Sequence, residues 1–584
     1  MKRVNVEGKY AEGLPLTDKK GKAPRRARKF AQDQDGGVGG LGWLSLTMFF
    51  FMVLMGGLAV DLMRYEYTRT SLQQTADTSA LAAAAWSQKL EAEDVVEDYF
   101  DKDNKLQYLT KVYPESALNY TRVTVEAERV QPTFFMRMMG YDTLDVPAAS
   151  VAEQRITNVE IAMVLDVSGS MAGTKIANLK TAAKQFVSDV LSKDTESRVS
   201  VAIVPYNGQI NLNSDLFAKY TVKANSDGTS GANGTTNSNC FDLPSSVFSS
   251  ASLSTGTGLP QTAYADTYSS TSQSTSFVAA TDTSSATPAS ANYWCPAIAG
   301  NQVRLPNNSI TTMQSQIDGL SAIGATSINA GIKWGLALLD PGSRTMFTQL
   351  LNAGKIPAAF TGRPFDYDDP EAMKVIVLMT DGENFAEERM NDGYRGSQLS
   401  PIYKSTKSGT TYYSIYHSSK SGTSKYWRPD TGTWVAAAYN AGTTPTQMKW
   451  QEVWTSMRTS YVAWQFYARA LGTSSSTRTS YYNSQMAAFR TQTDTTAMDT
   501  QLQSICTLAK GKNVIIFGIA FEAPTNGQTQ IAKCAQSLIE KASDTANGTD
   551  TSKSSANYFQ STNGTISSDF KTIASNISQL RLTQ

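Results

Sequence analysis

A run of five apolar residues at 161–165 ends on Asp166-Val167-Ser168-Gly169-Ser170. The run has the length and character of a strand buried on both faces. The pentapeptide after it sets a carboxylate and two hydroxyls on alternate residues, where strand should give way to helix. Residues 199–204, 375–379 and 514–521 are further runs of strand length, apolar throughout except for Ser200. Behind the first, Ile176, Leu179, Ala183, Phe186, Val187, Val190 and Leu191 recur at helical spacing. Buried strands separated by amphipathic helices describe an α/β, doubly wound parallel sheet. Ligands of such sheets bind at the carboxyl ends of the strands, where Asp166 and Asp381 both fall.

Composition narrows the function. The chain has 584 residues, so two or three folded units are expected. With 52 Lys+Arg against 51 Asp+Glu, there is no electrostatic case for nucleic acid as a partner. The single histidine, His417, argues against a multi-histidine zinc site and a Ser-His-Asp triad. Cys240, Cys295, Cys506 and Cys534 form no C-x-x-C pair. The sequence-local pairing, 240 with 295 and 506 with 534, is the simplest disulfide pattern, with four buried free thiols as the alternative.

Residues 1–37 form a polar tail with ten Lys/Arg and five acids. Residues 38–60 then carry no charge over 23 positions, about 35 Å of helix at 1.5 Å per residue and long enough to cross a bilayer. The basic tail should remain cytoplasmic and send the bulk of the chain across the membrane. A cleaved signal peptide, a buried core helix and a prepilin-type leader all fit less well. The hydrophobic stretch is too long for a signal peptide, and no glutamate follows five positions into it. The bulk would then face an oxidising compartment, which favours the disulfides.

Residues 61–155 read as a long helix continuing out of the membrane and a small β unit over 121–151, with Val123-Thr124-Val125-Glu126-Ala127 alternating. The region 156–584 is interrupted twice. Residues 211–300 are dominated by Ser, Thr, Asn, Gly and Ala, so a mobile loop pinched by Cys240 and Cys295 is expected. Residues 383–500 hold 11 of the 26 tyrosines and five of the nine tryptophans. They predict a folded β insertion followed by a helix near 450–470, its aromatics forming either its own core or a contact surface.

The D-x-S-x-S turn gains meaning from two later segments, Gly324-Ala325-Thr326 and Thr380-Asp381-Gly382. All offer oxygen, which hard divalent cations prefer. Ser168 and Ser170 could bind directly, Thr326 could add a third hydroxyl, and Asp166 and Asp381 could bind directly or through water. Hydroxyls carry no charge, so such a cation would be under-neutralised and would attract an anionic oxygen from a partner's Asp or Glu. Taken alone, the pentapeptide could be no more than a turn and helix N-cap.

These residues resemble the metal-ion-dependent adhesion site of von Willebrand factor A domains. The stretch 324–335 is similar to the version in TadG-type proteins of tight-adherence (Flp) pilus systems. Gly57-Leu58-Ala59-Val60-Asp61 and Leu72-Gln73-Gln74-Thr75-Ala76-Asp77 resemble their membrane-anchored TadE/TadG-like region. The resemblance implies a bacterial inner-membrane protein with a Rossmann-like domain holding a divalent cation, Mg²⁺ first and Mn²⁺ or Ca²⁺ as alternatives. It also implies pilus-assembly or pilin-like partners and no catalysis. A structural, minor-pilin-like subunit or surface adhesin is the competing reading. An enzyme using metal-activated water is a third, disfavoured by the lack of a base.

Overall fold

The computed structural model describes residues 38–85, 88, 90–117, 120–155, 158–192, 194, 196–229, 231, 238–267, 286–536 and 556–578. The basic tail lies outside them. The chain divides into two compact units, an N-terminal one within 1–152 and a larger one running mostly from Glu153 to Gln584.

In the N-terminal unit one helix, Val38–Ala84, runs for 47 residues, about 70 Å. It is long and apolar enough to cross a membrane. Its first half leaves Leu41, Phe49, Phe51 and Met55 exposed. Its second half buries Leu72, Ala76, Ala80 and Ala83 at spacings of four and three, the stripe of a helix packed on one face. Lys105 holds this half by donating to the Ser71 carbonyl at 2.8 Å and Thr75 Oγ1 at 2.7 Å. The helix Ala92–Lys102 follows, then a sheet of β1 (Leu109–Ala117), β2 (Tyr120–Pro132) and β3 (Thr143–Arg155), in that order. Strand β1 is missing from the sequence reading, because Pro114 and mixed polarity conceal its alternation.

The larger unit is built on β4 (Asn158–Asp166), β5 (Val199–Tyr206), β6 (Arg304–Asn307) and β7 (Ala372–Thr380). Seven short strands come next: β8 (Glu387–Met390), β9 (Leu399–Lys407), β10 (Thr410–Tyr416), β11 (Tyr426–Arg428), β12 (Thr433–Val435), β13 (Thr446–Lys449) and β14 (Arg490–Thr493). Strands β15 (Ile515–Phe521) and β16 (Tyr558–Ser561) complete the set. The main sheet has the order β16-β15-β7-β4-β5-β6, parallel except for the edge strand β6.

Side chains alternate between its faces with period two. Ala162, Val164, Val204 and Leu378 pack in one core with the helices Ile328–Leu339 and Thr495–Gly511. Ile161, Met163, Leu165, Val201 and Val377 pack in the other with the helices Thr174–Leu191 and Ile566–Ser578. Ile328–Leu339 is buried at every position. Gly331 and Gly335 permit that closeness, since a Cβ would stand 2.8 Å from the Tyr206 ring and 2.6 Å from Val164 Cγ2 respectively.

The described parts of 211–300 correct the mobile-loop expectation. They form little regular structure, yet Leu212, Leu216, Tyr220, Phe241, Leu243 and Phe248 are built into the first core. Lys333, fully buried, donates to the carbonyls of Ser250, Ala251 and Ser252 at 2.6, 3.1 and 3.0 Å. Average composition hid a minority of well-placed apolar residues. Cys240 is disulfide-bonded to Cys295, and Cys506 to Cys534. The first closes a 55-residue separation, for which loop entropy alone predicts about 4 kcal/mol. Cys240→Ala with Cys295→Ala should therefore markedly lower the denaturation midpoint of the full-length protein, measured without reductant. An unchanged midpoint would contradict this account.

Residues 383–500 carry a second sheet of order β12-β11-β10-β9-β13 and a β8–β14 ribbon. The aromatics are largely its own core: Trp450 stacks on Trp454 with centroids 4.9 Å apart, and Phe489 meets both edge-on.

Candidate metal centre

Strands β4 and β7 are neighbours in parallel register, with Leu165 opposite Met379. Asp166 and Thr380 therefore end their strands side by side, and Asp381 extends one residue beyond. After Asp166 the chain runs through extended Ser168 and the short turn Gly169–Met171 into the helix Thr174–Leu191. The Gly169 N–H donates to the Gly324 carbonyl at 2.9 Å. Gly324 takes φ +86°, a conformation that favours glycine. The loop then delivers Thr326 just ahead of Ile328–Leu339, and the Phe385 N–H donates to the Thr326 carbonyl at 2.8 Å.

All five sequence-derived residues thus converge. Asp166 Oδ1 accepts from the Ser168 N–H at 2.8 Å and Oδ2 from Thr380 Oγ1 at 2.7 Å. Ser168 Oγ and Ser170 Oγ are 3.0 Å apart, and Ser170 Oγ donates to Asp381 Oδ1 at 2.6 Å. Lys175 Nζ is paired with Asp381 Oδ2 at 2.8 Å. Asp166, Ser168, Thr326 and Asp381 are buried while Ser170 is exposed, so the carboxylates form a floor and one hydroxyl faces solvent. Burial, reinforced by the nearby Asp381 charge, pushes Asp166 up to about 6.

The donor set fits a hard divalent cation. Two carboxylates and three hydroxyls meet in one place, and a positive charge there would relieve the repulsion between the carboxylates. Gly382 borders the same place: a Cβ on it would stand 3.7 Å from Thr326 Oγ1 and 3.9 Å from Ser170 Oγ, both ordinary contact distances. No three His, Cys, Asp or Glu form a metal group among the described residues; a cation here would depend on hydroxyls.

Three participants escaped the sequence reading as individual roles. Thr380 holds Asp166, Lys175 neutralises Asp381, and Phe385, 46% exposed, stands one residue from Asn384, whose Oδ1 accepts from the Ile328 N–H at 2.8 Å. Lys175 lies in the first helical turn after the loop, a position the sequence does display.

His417 belongs instead to the second sheet. It is buried between Trp434 and Tyr467, with Nε2 2.9 Å from the Phe466 carbonyl oxygen. Burial lowers its pKa below 6.5. The folded state thus binds a proton less readily than the unfolded one, and its stability contribution is full above the unfolded pKa and falls as pH drops below it. His417→Gln should reduce the loss of midpoint between about pH 7.5 and 5.5; an unchanged pH slope would count against this.

Residues 39–85 match the TadE/G-like family of Flp pilus assembly. No curated protein matches the chain. Among solved structures, it is similar to the pilus adhesin SpaC from Lactobacillus rhamnosus GG, at 10% identity and a TM-score of 0.27 over 80% of this chain and 33% of that one. It is also similar to the vWF domain of the type V pili tip protein Mfa5 from Porphyromonas gingivalis (10% identity, TM-score 0.29, 73% of this chain and 96% of that). The PilB minor pilin from Streptococcus sanguinis matches at 10% identity and TM-score 0.27, over 81% and 78%. The chain spans about a third of the length of SpaC.

Proposed function

We propose that this chain is a membrane-anchored protein of Flp-type pilus biogenesis that grips a pilus component through a metal-ion-dependent adhesion site. In this reading the main-sheet unit is a Rossmann-like von Willebrand factor A domain, and Asp166, Ser168, Ser170, Thr326 and Asp381 hold Mg²⁺, or alternatively Mn²⁺ or Ca²⁺. The carrying observation is the convergence of three separated segments on one all-oxygen cradle at the strand ends. The ion, when bound, supplies a positive centre for a partner's Asp or Glu. The chain's own part is to orient the hydroxyls, to hold Asp166 through Thr380, and to offer the exposed Phe385, bonded through its N–H to the Thr326 carbonyl, as a flank for the acidic contact. The role is binding rather than catalysis, at the bacterial inner membrane, with the tail cytoplasmic and the bulk periplasmic.

The Val38–Ala84 rod favours one rival, a minor-pilin-like structural subunit. Affinity capture with the full-length protein in detergent, with Mg²⁺ and with EDTA, separates the two. Metal-dependent capture of pilus components, weakened by Phe385→Ala without change in Mg²⁺ affinity, is expected. Equal capture in EDTA would leave the structural reading.

A further inference from the structure

Asp61 is the first charged residue after the apolar run and is buried. It lies in the middle of the Val38–Ala84 helix, so it caps no helix end. Its carboxylate instead accepts three backbone N–H groups from a distant turn, Phe134 at 3.0 Å, Phe135 at 2.7 Å and Met136 at 2.8 Å. One helical turn earlier, Gly57 leaves the space that the Phe135 ring fills: a Cβ there would stand 2.3 Å from Phe135 Cγ. The pair Gly57 and Asp61, four residues apart, is therefore a socket that clamps this turn to the helix where the apolar run ends.

The clamped turn is unusually apolar for an exposed one. Phe134, Met138, Met139 and Tyr141 are 66, 71, 43 and 58% exposed, a cluster that water does not favour. The helix that holds it also exposes apolar residues at the same level, Val60, Leu62 and Met63 on either side of Asp61. Cations flank it: the Arg64 guanidinium lies 4.2 Å above the Phe134 ring, and Arg137 pairs with Asp142 at 2.9 Å. Apolar and aromatic side chains with arginines that reach toward water are the make-up of a segment lying at a bilayer surface.

We infer that the Phe134–Tyr141 turn is a second membrane contact, held by Gly57 and Asp61 so that Phe134, Met138 and Met139 enter the lipid beside the transmembrane helix. The occupant of this patch is the bilayer. The inference rests on the helix being membrane-spanning. Its consequence is mechanical: two attachments, unlike a single rod, fix the angle at which the rest of the N-terminal unit leaves the membrane.

The test uses the full-length protein in phosphatidylethanolamine–phosphatidylglycerol vesicles. All four native cysteines are in disulfides, so Met138→Cys provides a single site for a nitroxide, with Val53→Cys in the apolar run and Asp145→Cys on β3 as references. The 138 label should respond to oxygen and lose its response to a water-soluble nickel chelate, as at 53 and opposite to 145. An aqueous response at 138 with lipid exposure at 53 overturns the inference and leaves the anchor intact. Aqueous responses at both positions overturn the anchor as well. Protection at 138 from both reagents means that protein covers the patch, which also overturns the inference. In Asp61→Ala, release of the turn should return the 138 label toward the aqueous response.

Discussion

Asp166→Asn should abolish the Mg²⁺-dependent rise in unfolding temperature of the full-length protein while leaving the fold in place. A ligand bound only by the native state stabilises it by about 2.7 kcal/mol at a hundred times its Kd. For a unit running mostly from Glu153 to Gln584 that corresponds to a shift of about 3 °C. Asparagine keeps an oxygen for the Ser168 N–H or Thr380 hydroxyl, both of which Asp166 accepts in the native site. It removes the charge that a cation needs. Asp166→Ala should lose the same response, but would also strand those two donors and lower stability in EDTA. The comparison of midpoints with Mg²⁺ and with EDTA, in each variant, isolates the metal effect. A full Mg²⁺ response in Asp166→Asn and in Asp381→Asn would sink the metal site.

The second large effect lies at the other end of the same strands. Glu160 of β4 stands opposite Lys374 of β7 in register. Their side chains, each 3% exposed, form an ion pair. Lys374 Nζ also donates to the Leu339 carbonyl at 2.9 Å, and Glu160 Oε1 accepts from the Phe365 N–H at 3.1 Å. Glu160→Ala would leave an ammonium buried without its counter-charge, a loss of about 3–5 kcal/mol. The double variant Glu160→Met, Lys374→Met should recover most of that, because it removes both desolvated charges and fills the space. Chemical denaturation of the full-length protein reads both, and the Mg²⁺ response should persist in each. A single variant as stable as the parent would show that the pair is not held as described.

Much of the main sheet was legible because its chemistry is local. Near-continuous apolar runs mark β4, β5, β7 and β15, since a strand covered on both faces has no polar side to display. The helix behind β4 was legible from its spacing. Strand β1 was not, because its neighbours decide its polarity. The 211–300 segment was misread for a related reason. Burial of Phe241, Leu243 and Phe248 depends on a groove that distant residues build, and the Lys333 clamp joins positions more than 80 residues apart.

The sequence by itself determined the kinds of atoms at the candidate site, the apolar run that can cross a membrane, and the buried strands at the centre of the main sheet. These follow from side-chain chemistry and periodicity, which need no third dimension. Only the tertiary structure decided that Asp166 and Asp381 end adjacent strands, that Thr380 and Lys175 join them, and that Asp61 serves a turn more than 70 residues away. Register and chain crossing set those distances. A carboxylate's partner is chosen by what the fold brings within about 3 Å, and nothing local in the sequence records that.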